Sequence, residues 1–180
     1  MYLPAELAHA LAHDAAQLAR LAGFLAEHAL DAFTFNAFPF GGFQSDGLKA
    51  RVFAPAWSER ARRDYTLDVA RIAAQLNAGR ARSVAISTHT GRFGAFDAAR
   101  GAADPARPEE GAAIAHLAQC ALEFARLSDA HGVELVLALE PEPRANCCHA
   151  YRERSRLRGT SSSSSGTCCS RLNSGNSRRR

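Results

Sequence analysis

The sequence predicts an α/β fold with about three parallel strands, each preceded by a helix. Three short apolar runs begin near residues 32, 83 and 133, about 50 residues apart. Each run follows a segment whose apolar residues recur every three or four positions, which is the period of an amphipathic helix. Alternating helices and buried strands are typical of parallel sheets built from βαβ units.

The first helix is predicted over residues 4–29, where leucines recur at helical spacing. These are Leu7, Leu11, Leu18, Leu21 and Leu25. Pro4 suits the first turn of a helix, and Glu6 suits its N-terminal end, where the helix dipole is positive. The first strand follows over residues 32–38 and ends at Pro39, which cannot donate a hydrogen bond to a sheet.

A loop over residues 40–57, rich in glycine and aromatic residues, separates this strand from the second helix. The apolar residues at helical spacing in the second helix are Tyr65, Val69, Ile72 and Leu76. The second strand is predicted over residues 83–88 and ends near His89. Its valine and isoleucine suit the pleated surface of a buried strand.

Residues 90–107 read as a second long loop, and the third helix opens at Pro108. The apolar stripe of this helix consists of Ile114, Leu117, Ala121 and Phe124. Gly132 ends the helix, and the third strand follows over residues 133–139. This strand is nearly continuous in valine and leucine, as expected for a strand buried on both faces, and Glu140 stands at its end.

The loops on the two sides of the predicted strands differ in length. Helix-to-strand turns are short, whereas strand-to-helix segments are long and polar or aromatic. In a (β/α) barrel this asymmetry marks the functional face, because the loops after the strands build the site. The sequence therefore predicts one α/β domain over residues 1–143, with its functional face at the ends of the strands.

The net positive charge of the chain comes from residues 144–180. This segment has nine arginines against one glutamate, whereas residues 1–143 have 13 lysines and arginines against 17 acidic residues. The segment contains a run of five serines and no apolar periodicity, so it is predicted to be a disordered tail. Four of the five cysteines form adjacent pairs in the tail, a spacing that suits a zinc framework poorly.

The sequence has no apolar run long enough to cross a membrane. The first residues lack the basic and apolar segments of a signal peptide. We therefore expect a cytoplasmic protein.

Five stretches of the chain, taken in order, match a known family. They are TFNAFPFG at 34–41, KARVFAPAW at 49–57, RDYTL at 63–67, ST at 87–88 and ALEPEP at 138–143. Together they resemble the EboE family of metabolite traffic proteins. That family is part of the xylose isomerase-like TIM barrels, the superfamily of sugar phosphate isomerases and epimerases.

The resemblance covers about residues 4–143 and implies only a fragment of such a barrel. Family members are roughly twice as long, so the three strands correspond to the middle of an eight-stranded barrel. The resemblance stops after Pro143, where composition also changes, as when a GC-rich gene is read out of frame. We therefore expect a truncated or frameshifted chain that is inactive as an enzyme, although its parent could be isomerase- or epimerase-like.

Glu140 is the strongest candidate site residue. In the xylose isomerase-like superfamily a glutamate at this strand end commonly ligates a divalent metal, which implies Mn²⁺, Mg²⁺ or Zn²⁺ in the intact parent and a catalytic role for Glu140. Glu142 is the candidate second metal ligand, since an extended chain places residues two apart on one side. A solvated loop glutamate is the alternative for Glu142, and a carboxylate satisfied by backbone amides for Glu140.

Other candidate residues are predicted on the same functional face, near the ends of the strands. His89 is a candidate catalytic residue, as a metal ligand or proton shuttle. Asn36, Lys49, Arg51 and Trp57 are candidate substrate-binding residues, through hydroxyl, anionic and apolar groups of a ligand. For the aromatic residues of the first loop, packing of the loop against the barrel rim is the alternative.

The resemblance implies a role in metabolite traffic or export, with a small-molecule metabolite and products of the same gene cluster as partners. One alternative is a barrel that binds a metabolite without catalysis. Another is an interaction protein whose arginine-rich tail binds nucleic acid through phosphates, without sequence specificity. We do not expect nucleic-acid binding from the acidic body.

Overall fold

The computed structural model describes residues 1–42, 52–80, 82–90 and 108–140. Its elements are α1 (Ala5–His13), α2 (Ala15–Glu27), β1 (Thr34–Asn36), α3 (Arg60–Leu76), β2 (Ser83–His89), α4 (Pro108–His131) and β3 (Glu134–Glu140). Within these ranges the fold is mixed α/β, with four helices and an open, three-stranded parallel sheet. The predicted fold class is confirmed for this part of the chain. The predicted tail lies outside the described residues.

The strands lie in the order β1-β2-β3, which is also their order along the chain. The connections from β1 to β2 and from β2 to β3 run across the sheet in the same direction. Because such parallel connections are right-handed, their helices, α3 and α4, lie over the same face of the sheet. The residues on that face are in register and buried: Phe35 pairs with Ile86, and Ile86 pairs with Leu137. They form one hydrophobic core with the buried side chains of α3 and α4.

The predicted first helix is two helices, because Asp14 interrupts it. Asp14 has extended backbone angles (φ −128°, ψ 100°), and its carboxylate accepts hydrogen bonds from the N–H groups of Ala16 and Gln17. Aspartate caps a helix N-terminus in this way, so α2 starts afresh after α1. The hydrogen bonds from Gln17 also hold the pKa of Asp14 below its usual value.

Residues at the start of the chain run beside β1, which the sequence did not reveal. Tyr2 forms an isolated parallel bridge with Asn36, and the Asn36 N–H donates to the Met1 carbonyl at 2.8 Å. The observed β1 is shorter than the strand predicted over 32–38, because regular pairing covers only Thr34–Asn36. The outer edge of β1 is therefore partly occupied by the chain's own first residues.

The predicted stripe of the third helix is only partly correct. Ile114 is 67% exposed, whereas Cys120, Phe124 and Leu127 are buried against the core. The buried stripe therefore lies further along α4 than expected. Burial raises the pKa of the Cys120 thiol to about 12, so this cysteine is an inert core residue at neutral pH.

The short turns into β2 and β3 each use a glycine with a left-handed backbone. Gly79 has φ 70° and Gly132 has φ 63°, values that residues with a Cβ rarely adopt. The Gly79 N–H donates to the His131 carbonyl at 2.8 Å, so the two turns meet at the same end of the sheet. No helix within the described ranges is both long enough and apolar enough to cross a membrane.

Candidate functional site

Each of the three strands ends on a residue that the sequence had marked as functional. Asn36 is the last residue of β1, His89 of β2 and Glu140 of β3. His89 pairs with Glu140, and Asn36 pairs with Ser87, two residues before His89. Paired residues and residues two apart point to the same side of a sheet. The structure therefore brings Asn36, Ser87, His89 and Glu140 onto one face at the carboxyl ends of the strands.

This face is the one opposite the helix-packed core. Its positions alternate with the buried residues Phe35, Ile86 and Leu137, and apart from Val136 they are small or polar. Asn36, Ser87 and Glu140 are all partly exposed. In a (β/α) barrel the helices cover the outside and the alternate strand residues face the interior. We call these four residues, Asn36, Ser87, His89 and Glu140, the rim.

His89 differs from the rest of the rim because it is fully buried. Its ring lies 5.2 Å from the ring of Phe38 and 5.5 Å from that of Phe53, measured between centroids. Its carbonyl accepts a hydrogen bond of 2.8 Å from the indole N–H of Trp57. The segment before α3 therefore folds over the end of β2 and packs His89 in an aromatic setting.

Trp57 anchors that segment. Its side chain has no exposed surface, and its carbonyl lies 2.8 Å from Nδ1 of His116 on α4. Trp57 thus ties the end of β2 to α4. Its predicted role in substrate binding stays a prediction, and its evident role here is to hold the aromatic packing of the rim in place.

The amide of Asn36 is held by one described hydrogen bond. Its Oδ1 accepts this bond from the Phe38 N–H at 2.8 Å, which fixes the orientation of the side chain. The amide also has two N–H donors besides this oxygen. The predicted contact with a substrate hydroxyl suits that placement and stays a prediction.

Arg62 is the residue of this site that sequence reasoning missed. It is fully buried, and its guanidinium donates to the carbonyls of Ala37 (3.0 Å), Phe38 (2.6 Å), Ala54 (3.3 Å) and Pro55 (2.9 Å). Burial lowers the pKa of Arg62 to about 10, so the group is still charged at neutral pH. One cation thereby joins the segment after β1 to the segment before α3.

Tyr65 supports the same region one turn later on α3. Its hydroxyl lies 2.8 Å from the Leu3 carbonyl and 3.0 Å from the Pro39 carbonyl. Burial raises its pKa, so the phenol stays neutral. The Arg62 guanidinium lies 5.7 Å from the centroids of the Phe40 and Tyr65 rings, a distance at which cation–π attraction acts.

The rim as described does not fit a divalent metal. A protein metal site needs three or four ligands. Within the described ranges the rim offers one carboxylate, Glu140, and one imidazole, His89, and no third ligating side chain joins them. The predicted second ligand, Glu142, and the predicted substrate-binding residues Lys49 and Arg51 lie outside the described residues. The metal implied by the resemblance therefore stays a prediction, and no chemical step is assigned to it.

Comparisons of this chain with protein-family models, with curated proteins and with solved structures found no match.

Proposed function

We propose that the chain is part of a xylose isomerase-like (β/α) barrel of the EboE type, and that its rim handles a small hydroxylated metabolite. The observation that carries this proposal is the register of the sheet. It brings the ends of all three strands together on the face opposite the core that α3 and α4 cover. In barrels of this kind, ligands are bound at the carboxyl ends of the strands.

The chemistry of the rim suits hydroxyl groups. Asn36 offers amide donors, Ser87 a hydroxyl, and Glu140 a carboxylate that accepts hydrogen bonds. Hydrogen bonds to a charged acceptor are the stronger ones, so Glu140 is expected to contribute most to binding. The aromatic setting of His89, with Phe38 and Phe53, gives the rim an apolar wall on one side.

The surface beyond β3 supports a barrel larger than three strands. Within the described residues β3 pairs only with β2. On α4, Ile114 is 67% exposed and Leu122 is 74% exposed, and eight residues of separation place them on one side of the helix. Large exposed apolar side chains on α4 fit the packing of a further βα unit of the same barrel.

Metabolite traffic, with isomerase or epimerase ancestry, is the role that we propose for the parent barrel. The alternative is binding without catalysis. An isomerase or epimerase converts its sugar into a different sugar, whether the hydrogen moves as a proton or as a hydride, whereas a protein that only binds the sugar leaves it unchanged. Detection of an isomer or epimer by NMR after incubation with each candidate sugar therefore separates the two possibilities.

The experiment for the proposal is saturation-transfer NMR with a panel of polyols, sugars and sugar phosphates. Glu140→Gln is compared with Glu134→Gln, which changes the same type of residue at the opposite end of the same strand. We expect Glu140→Gln to weaken binding about tenfold or more, since a hydrogen bond to a charged group contributes roughly 1.5–3 kcal/mol. We expect Glu134→Gln to leave binding unchanged. Equal losses of affinity in both variants, or no binding by the unsubstituted chain, would contradict the proposal.

A further inference from the structure

Away from the rim, the packing of α1 against α3 brings three metal-ligating side chains together. His9 and His13 are four residues apart on α1 and therefore share a face of the helix. Nδ1 of His9 lies 3.1 Å from Oδ2 of Asp68 on α3, and Nε2 of His13 lies 3.2 Å from Oδ1 of Asp68. One donor atom from each residue lies within 4.8 Å of the other two.

We propose that His9, His13 and Asp68 form a zinc-binding site that bridges the two helices. Zinc binds imidazole nitrogen and carboxylate oxygen at about 2.0–2.2 Å in a tetrahedron, which sets neighbouring ligand atoms roughly 3.3–3.5 Å apart. The distance of 3.1 Å between His9 Nδ1 and Asp68 Oδ2 is already close to that spacing. His13 Nε2 lies 3.2 Å from the other carboxylate oxygen, Oδ1, and one ligand atom from each of the three residues lies within 4.8 Å of the other two, so a turn of the His13 imidazole towards Oδ2 completes the site.

The exposure of the three side chains suits an ion that arrives from solvent. The carboxylate of Asp68 is only 7% exposed and is fixed in the helix interface. The imidazoles of His9 and His13 are 70% and 53% exposed, so they are free to turn towards an ion. Three protein ligands leave the fourth tetrahedral position for water, an arrangement that zinc adopts in open sites.

Arg71 fixes the orientation of the carboxylate. Its Nη1 donates to Oδ1 of Asp68 at 2.7 Å from one turn further along α3. Metal-binding carboxylates commonly accept such a hydrogen bond from a neighbouring group, and loss of that group weakens metal binding by about 10- to 100-fold. With Oδ1 held by Arg71, Oδ2 of Asp68 is the oxygen that we assign to zinc. The nitrogen ligands are Nδ1 of His9 and Nε2 of His13.

The competing interpretation is that the cluster joins the two helices through hydrogen bonds alone. In that case removal of a histidine changes stability equally with and without zinc. A zinc site instead makes the stabilisation depend on the metal, because an ion that binds only the folded state shifts the unfolding equilibrium. The identity of the ligands also predicts which spectrum the bound metal shows.

The test uses the full chain with the four tail cysteines, Cys147, Cys148, Cys168 and Cys169, replaced by serine, since thiolates also bind zinc. Zinc binding is measured by isothermal titration calorimetry, and Co²⁺ serves as a spectroscopic substitute. The variants are His13→Ala, Asp68→Asn and Arg71→Ala. The matched control is His28→Ala, which removes an exposed histidine whose Nδ1 lies 2.9 Å from the Phe24 carbonyl.

We expect one equivalent of zinc to bind to the chain that carries only the four cysteine replacements, and to raise its Tm. His13→Ala and Asp68→Asn abolish that binding, Arg71→Ala weakens it by about tenfold or more, and His28→Ala leaves it unchanged. Bound Co²⁺ shows tetrahedral visible bands without thiolate charge transfer. Failure to bind zinc at one equivalent, or binding that survives in His13→Ala, overturns the proposal. Neither result bears on the rim, whose test depends on Glu140.

Discussion

The arginines at the two ends of the sheet differ in their burial and in their hydrogen-bond partners. At the amino end, Arg82 and Arg80 form ion pairs with Asp31, and the Asp31 side chain is 49% exposed. At the carboxyl end, Arg62 is fully buried, and within the described residues its hydrogen bonds go to backbone carbonyls. The amino end is held together by paired surface charges, and the carboxyl end by one buried cation.

This difference matters for the ligand site that we propose at the carboxyl end. Arg62 and Tyr65 fix the surrounding segments through main-chain carbonyls, and within the described residues the Arg62 guanidinium donates its hydrogen bonds to carbonyls and not to a carboxylate. Glu140 is left at the end of β3, partly exposed and in register with its neighbours. At the amino end Arg82 lowers the pKa of Asp31 and occupies its carboxylate.

Arg62→Met is expected to have the largest effect, because it removes the buried cation from the carboxyl end. Four carbonyls lose the Arg62 donor, and of these the Ala37 carbonyl keeps a hydrogen bond of 3.4 Å from the Thr88 hydroxyl. Because buried carbonyls without a partner are costly, we expect a loss of about 3–5 kcal/mol in the free energy of unfolding. Chemical denaturation measures this loss. The control is Arg60→Met, an exposed arginine on the same turn of α3, for which we expect a change within about 0.5 kcal/mol. Similar small losses in both variants would show that the buried cation does not organise the carboxyl end.

Cys120 tests the core that lies between the two ends. Its pKa is raised by burial from 9.0 to about 12, so the folded chain keeps this proton after the unfolded chain has lost it. Stability that is complete below pH 9 is therefore lost as the pH rises towards 12, on the order of 1 kcal/mol by pH 10. Denaturation at pH 8 and pH 10 measures the loss, which Cys120→Ala should reduce. An unchanged pH dependence in that variant would contradict the assignment.

The smallest expected effect is that of Arg82→Gln at the amino end. Water and salt screen exposed ion pairs, so we expect Tm to fall by only about 1–2 °C at low salt and by less in 1 M NaCl. Differential scanning calorimetry at the two salt concentrations measures this. A loss as large as that of Arg62→Met would remove the distinction between the two ends.

Much of the fold could be predicted because its signals are local. The spacing of apolar residues marks the helices, and the run before Glu140 marks a strand together with the residue at its end. The break at Asp14 also has a local signal, since Gln17 stands three residues later and its Nε2 donates to Asp14 Oδ2 at 2.8 Å. The leucine pattern continues through this point and conceals the capping signal.

The features that could not be predicted depend on contacts between distant parts of the chain. Arg62 belongs to a run of arginines that is typical of a solvated helix face, and only the packing of two loop segments over α3 buries it. The spacing of His9 and His13 is visible in the sequence, but Asp68 joins them only because α1 packs against α3. The aromatic setting of His89 likewise requires the segment before α3 to fold over β2.

The most direct test of the central claim is to locate a bound metabolite on the sheet. Backbone amide chemical shifts of the full chain are recorded by NMR while a ligand from the panel is added. We predict that the shifts which change cluster at the carboxyl end, at residues 36–41, 89–90 and 139–140. Changes at the amino end instead, around residues 31, 79–83 and 134, would contradict the assignment of binding to the rim.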